Sequence, residues 1–201
     1  EGFESHIGIN HIGHFYLTQL LEPLLINSAP SRVVATSSAA AQGAPASGID
    51  FGSWREKTPD YEDGAAYGQS KLANVLFARE LSERLGAKGV SAYSCHPGVI
   101  ATELSRYMES EMKAEVKAKG QIAVAMNALF SGIFSRALLS PPDGALTQLY
   151  LATALTIAPE LNGGFFVPIA SPSTDAHPQA TNATLQKQLW EFTVDALNKY
   201  R

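Results

Sequence analysis

The stretch Ala66-Tyr67-Gly68-Gln69-Ser70-Lys71-Leu72-Ala73-Asn74 decides how the rest of the chain is read. It opens a strongly helical segment, and on a helix residues four apart share a face, so Tyr67 and Lys71 look into the same space. A free phenol titrates near about 10 and is a poor base at neutral pH. A cation about 4 Å away contributes roughly 4 kcal/mol at an effective dielectric of about 20, enough to bring it towards about 7. A phenol tuned in this way can exchange a proton with an alcohol or a carbonyl. An isolated YxxxK is more often an ordinary surface pair, so the flanking sequence has to decide.

Upstream, Asn27-Ser28-Ala29-Pro30-Ser31 breaks a first helix, and 32–38 (Arg32-Val33-Val34-Ala35-Thr36-Ser37-Ser38) follows as a short apolar strand suited to a parallel sheet covered on both faces. Ser37 and Ser38 fall where that strand ends, and the carboxyl ends of parallel strands are where open α/β sheets place ligands. A serine pair capping the turn is the competing explanation. Residues 39–64 form a long glycine- and proline-rich connection carrying Phe51, Trp54 and Tyr61, which either wall a pocket or pin the loop.

Downstream, the helix runs from Ala65 to Leu85, with too little polar face in its middle to be solvated, and Gly86 and Gly89 end it. Its inner side is expected against the sheet and its outer side against another helix or subunit. Val90 to His96 is the next strand, stopped by Pro97-Gly98, so strand, helix and strand make a βαβ unit with a right-handed crossover. Thr102 stands just beyond the second strand end. The charged residues of 103–119 read as a solvated face, and with the apolar segment 121–139 they could form a flap. A helix starts at Ser140-Pro141-Pro142-Asp143-Gly144 and runs to about Thr156. A third strand spans 163–168, a loop covers 171–181, and Asn182 caps a terminal helix.

At the other end, Phe3 to about Ile26 reads as a helix whose apolar residues crowd more than one face, implying burial on several sides, with Pro23 bending it or shortening its last turn. Asn10 lies inside it, flanked by Gly8, His11, Gly13 and His14. No carboxylate or thiol joins the two histidines at ligand spacing, so they are expected to fill or border the core rather than bind a metal.

The chain has 201 residues, 45% hydrophobic, with 15 Lys+Arg against 19 Asp+Glu and a formal net charge of -4. That is enough to bury a core in one domain, and its scattered basic residues argue against nucleic acid. The one cysteine, Cys95, excludes an internal disulfide and reads as a buried structural thiol in a reducing compartment, hence a cytoplasmic expectation. Segment 122–139 is interrupted by Asn127, Ser131 and Arg136, so a membrane span is not expected, although a peripheral membrane contact stays open. The first residue, Glu1, already falls within a helical pattern, and the chain looks cut.

Four features now stand in order: Asn10 in a helix, Ser38 at a strand end, Tyr67 and Lys71 on the next helix, and His96-Pro97-Gly98-Val99-Ile100-Ala101-Thr102 after the next strand. Together they resemble the short-chain dehydrogenase/reductase superfamily. The wording Ile9-Asn10-His11-Ile12-Gly13-His14-Phe15, Ser70-Lys71-Leu72-Ala73-Asn74 and His96-Pro97-Gly98 resembles its retinol-dehydrogenase-like branch, over nearly the whole chain.

The resemblance implies the α/β fold class: residues 1–201 as a single partial domain, the carboxy-terminal part of a doubly wound Rossmann-type parallel sheet, with three strands and flanking helices. It implies an NAD(P)-dependent oxidoreductase interconverting an alcohol and a carbonyl, with a small apolar substrate. Tyr67 would be the general acid/base, and Lys71 would lower its pKa while holding the nicotinamide ribose. Ser38 would orient the reacting group, with Ser37 the lesser candidate, and Asn10 would help hold a relay water. Pro97, Gly98 and Thr102 would line the nicotinamide. NADP is set ahead of NAD, though no residue here reads the preference. A homo-oligomer is expected of the full-length protein, through helices near Asn10 and Leu76.

One departure is large. The family's glycine-rich turn, whose amides cradle the cofactor pyrophosphate, has no counterpart here: neither G-x-x-x-G-x-G nor G-x-G-x-x-G occurs. The first strand of the chain is therefore expected to expose an edge. A non-catalytic fragment that binds no cofactor is the reading of a different class, and an epimerase or dehydratase of the extended group, which shares YxxxK, is a third.

Overall fold

The structure is a computed structural model and describes residues 2–55, 61–100 and 138–200. Thr102, the charged run 103–119 and nearly all of the apolar segment 121–139, with the flap they were expected to form, lie outside the described residues.

Glu4 starts the first helical region by accepting hydrogen bonds from the His6 and Ile7 amides, both at 2.9 Å. Helix α1 (Ser5–Ile7) passes into a π turn (Gly8–Ile12), closed by the Gly13 amide donating to the Gly8 carbonyl, and then into α2 (Gly13–Asn27). Pro23 sits inside α2, which continues for another turn beyond it, so the expected shortening does not occur. Burial on several sides is also corrected. Phe15 is buried, but Leu17, Leu20, Leu21 and Leu24 are exposed, because no described element covers that face.

Strand β1 (Ser31–Thr36) pairs in parallel with β2 (Val90–Cys95), Ser31 opposite Val90 and Thr36 opposite Cys95. Between them runs α3 (Asp63–Leu85), which spans the crossover and buries Leu72, Ala73, Val75, Leu76, Phe77 and Leu81. The terminal helix α5 (Ala183–Leu197) covers its outer side. Glu80 of α3, buried, accepts from Arg84 Nε at 2.7 Å and from Gln186 Nε2 of α5 at 2.9 Å. Leu76 is thus enclosed by its own chain, which removes it from the expected subunit interface. Asn182 caps α5 as expected, its Oδ1 accepting from the Thr184 and Leu185 amides.

Helix α4 (Pro141–Thr153), capped by Ser140, lies against β1, and Arg32 Nη1 donates to the Leu151 carbonyl in its last turn at 3.1 Å. The sheet continues with β3 (Phe165–Val167), parallel to β2, and β4 (Ser171–Ser173), antiparallel to β3. Four strands in the order β1-β2-β3-β4 replace the three expected. The addition falls in the stretch taken for a loop: three residues with a central proline carry no strand signature and are ordered by β3 beside them. The whole is the expected α/β arrangement, a largely parallel sheet with flanking helices consistent with part of a Rossmann-type fold.

Cys95 is buried, and burial pushes its thiol up to about 11, in keeping with a structural role. Among the described residues no group of histidines, cysteines and carboxylates could hold a metal, and no helix is long and apolar enough to cross a membrane.

Candidate active site

The first half of α3 carries Tyr67 and Lys71, Ser38 follows the end of β1, and Pro97 and Gly98 follow the end of β2. Tyr67 and Lys71 stand on one face of α3, with Lys71 Nζ 5.4 Å from the centroid of the Tyr67 ring. Lys71 is half-buried, and burial lowers its ammonium below the ordinary lysine range. Among the described residues no carboxylate lies within ion-pair distance of it. The His6 ring also meets Tyr67 edge-on at 5.5 Å, itself 3.3 Å from Asp63 through Nε2. The Tyr67 ring therefore has both an imidazole and an ammonium as neighbours.

Each residue between Tyr67 and Lys71 anchors a different wall. Gly68 lets the turn Ala39–Gly43, which follows β1, touch the helix: an added Cβ would sit 2.6 Å from the Ala40 carbonyl oxygen and 2.9 Å from the Ala44 nitrogen. Gln69, buried, accepts from the Asp50 amide and donates to Ser53 Oγ at 3.3 Å, tying down the loop that carries Phe51 and the fully buried Trp54. The aromatics thus pin the loop rather than float in it. Ser70, fully buried, accepts from Asn10 Nδ2 at 3.0 Å and donates to the Tyr67 carbonyl at 2.7 Å.

The two serines of β1's end divide their work. Ser37 is buried and donates to the Lys71 carbonyl at 2.7 Å, which makes it a fastener between strand and helix. Ser38 remains part-exposed and caps the following turn, its Oγ accepting from the Ala40 amide at 3.1 Å. Because that contact uses only a lone pair, the Ser38 hydroxyl proton is left to donate elsewhere. No hydrogen bond joins Ser38 directly to Tyr67 among the described residues.

Asn10 lies in the π turn. Its carbonyl accepts from Asn74 Nδ2 at 2.9 Å and from His14 Nδ1 at 2.8 Å, so both are committed to protein partners. His14 is exposed and His11 fully buried, so only His11 fulfils the expected core position. Beyond β2, Gly98 holds φ +93°, and a Cβ there would come within 2.6 Å of Leu139 and 3.1 Å of Pro168. Pro97 and Gly98 therefore turn the chain tightly across the sheet's carboxyl end, where ligands of such sheets lie.

Sequence reasoning did not assign roles to Gly68, Gln69, Ser70 or Asn74, although all stand in the opening stretch. For Asn74 the signal was available: an asparagine among Leu72, Ala73, Val75 and Leu76 on a buried helix requires polar partners somewhere.

No family model matches the chain. Human retinol dehydrogenase 12 is 37% identical over 197 residues, covering 98% of this chain and 55% of that protein. Human retinol dehydrogenase 11 is 39% identical over 204 residues, with the same two coverages. The chain spans about half the length of the curated relatives it matches. Among solved structures, an uncharacterised protein of Mycobacterium paratuberculosis superposes with a TM-score of 0.62 at 29% identity, over 96% of this chain and 58% of that one. An NADPH-bound short-chain oxidoreductase of Pseudomonas aeruginosa, described as having an atypical catalytic centre, gives 0.55 at 15% identity, over 85% and 56%, a likeness of fold alone.

Proposed function

We propose, starting from a chain that is a retinol-dehydrogenase relative with the short-chain dehydrogenase/reductase fold, that it carries the catalytic machinery of a nicotinamide-dependent oxidoreductase. The reaction interconverts an apolar alcohol and its carbonyl. The observation that carries the reading is the meeting of Tyr67 and Lys71 at 5.4 Å on a helix fastened, through Ser37, to the strand end that bears Ser38.

The residues present fit one half of the cofactor. Lys71 is a half-buried cation with no carboxylate partner among the described residues, which suits ribose hydroxyls, and the tight turn at Pro97 and Gly98 offers backbone close to the sheet end. Thr102 is assigned to the carboxamide by resemblance alone. The glycine-rich turn that is the usual pyrophosphate cradle, G-x-x-x-G-x-G or G-x-G-x-x-G, does not occur in the sequence. When bound, the nicotinamide supplies the hydride chemistry.

The chain's own part is positional and protonic. Ser38 donates its free hydroxyl proton to the reacting oxygen, and Tyr67 gives or takes the proton at that oxygen. Lys71 Nζ stands 5.4 Å from the centroid of the Tyr67 ring, and burial lowers its own ammonium, which makes it a ready proton partner. Asn10 acts through Ser70 and the Tyr67 carbonyl, holding the helix start in place. In the full-length protein with retinal and NADPH, Tyr67→Phe is expected to cut kcat by at least about 100-fold with cofactor affinity nearly unchanged. Turnover comparable to the unaltered protein would remove Tyr67 from the mechanism.

A further inference from the structure

We propose that Asn74 is the positioning residue of this site, holding its three segments in register through one side-chain amide; the proposal rests on reading the site as an alcohol–carbonyl oxidoreductase. Asn74 is buried to 2% exposure on α3, three residues past Lys71 and seven past Tyr67, hence on the same side of the helix. Its Nδ2 donates to two backbone carbonyls that belong to neither α3 nor each other's element. One is Asn10 O, at 2.9 Å, inside the π turn. The other is Thr36 O, at 3.0 Å, the last residue of β1 and two residues before Ser38.

The orientation of this amide is determined by its partners. With two carbonyl oxygens facing Nδ2, a flipped amide would set oxygen against oxygen. Beside it lies the fully buried His11 ring, for which Asn74 is the polar neighbour that partly offsets burial. Asparagine is a poor helix former and rarely chosen for a buried helical position, so its place here requires a reason. No other side chain among the described hydrogen bonds links α3 to both the π turn and β1. Outside its own helix Ser70 reaches Asn10 but not β1, and Ser37 joins β1's end to Lys71 but not to the π turn. Together with the Ser37 bond to the Lys71 carbonyl and the Gly68 contact with the Ala39–Gly43 turn, this amide helps set how Tyr67 and Ser38 face each other, and a displacement of about 1 Å between reacting groups can cost about 100-fold in rate.

Two variants separate the role from simple stability. Asn74→Leu keeps the branched four-atom side chain without donors, and Asn74→Asp keeps the shape while turning the contact repulsive. In the full-length protein, with retinal and NADPH, both are expected to lower kcat about 10- to 100-fold with either KM changed less than about threefold. The side-chain NH2 of Asn74, assigned in 15N spectra by its loss in Asn74→Asp, is expected to exchange slowly in the unaltered protein. A kcat within about twofold of the unaltered protein in both variants overturns the proposal, as does an NH2 group exchanging at the solvent rate. Should the variants not fold, the exchange measurement on the unaltered protein decides. Should the unaltered protein turn over no alcohol or carbonyl, the oxidoreductase reading fails, while a protected NH2 still upholds the clamp.

Discussion

His11 shows how a single buried side chain ties this site to the stability of the molecule. Its ring packs among Phe15, Trp54 and Phe77 at centroid distances of 5.9, 5.8 and 6.1 Å, and Nε2 meets Thr193 Oγ1 at 3.0 Å. Burial lowers its pKa to about 3, only partly opposed by Asn74, while His14 nearby lowers it further. The unfolded chain exposes an ordinary imidazole that gains a proton below about 6.5. The folded chain refuses that proton, so the contribution of a neutral His11 is complete above about pH 6.5 and drains away as pH falls from there towards about 3. Glu4 adds to the acid side. Burial alone would raise its carboxyl, but the His6 and Ile7 amides, the Tyr61 hydroxyl and His6 together hold it low, so its contribution is present above about 4.5 and lost below. Urea unfolding midpoints measured from pH 7 to 5 are therefore expected to fall, and His11→Phe, which keeps the aromatic packing, should flatten that fall. Thr193 retains its bond to the Leu189 carbonyl at 2.7 Å and is not stranded by the change. Equal slopes for the two proteins would refute the assignment.

At the scale of elements, α3 is both the best-read part of the sequence and the part whose purpose was least visible. Its limits, the two strands beside it, the Ser140 cap of α4 and the Asn182 cap of α5 were legible because caps and periodicity are local. So was the pairing of Tyr67 with Lys71, which needs only the helical repeat. The π turn around Asn10, the three-residue β4 and the division of labour between Ser37 and Ser38 were not, because each depends on partners far away in the chain. Asn74 illustrates this best, reaching carbonyls 64 and 38 residues distant. The exposed face of α2 was misjudged for a related reason, since an apolar pattern says that a face is to be covered but not by what. Gly68 gives the element-scale prediction. Replacing a helical glycine by alanine ordinarily stabilises by roughly 0.5–1 kcal/mol. Here the new methyl meets backbone atoms of the Ala39–Gly43 turn and of Ala44, which cannot swing aside. Gly68→Ala is expected to destabilise by about 1–3 kcal/mol through overpacking and to displace Ser38, lowering kcat as well. A variant that melts higher than the unaltered protein would show that the turn yields without cost.

On the scale of the whole molecule, two surfaces are left unfinished among the described residues. Strand β1 ends the sheet among the described residues, and its side chains from Ser31 to Ala35 stay only half-buried, whereas β2 is almost wholly enclosed. Separately, α2 presents Leu17, Leu20, Leu21 and Leu24 on one helical face, with Leu20 60% and Leu24 62% exposed. An unpaired strand edge and an exposed row of leucines each favour association between copies. Residues 1–201 in isolation are therefore expected to self-associate, giving species larger than the monomer by sedimentation velocity at about 50 µM. Leu20→Glu combined with Leu24→Glu should shift that population to monomer. The melting temperature should change little, because neither side chain contributes to the core. Association that persisted in the double variant would transfer the contact to the β1 edge, where Val34→Lys would be the next substitution to separate the copies. A monomer for the unaltered residues at that concentration would mean that the leucine row is tolerated in water.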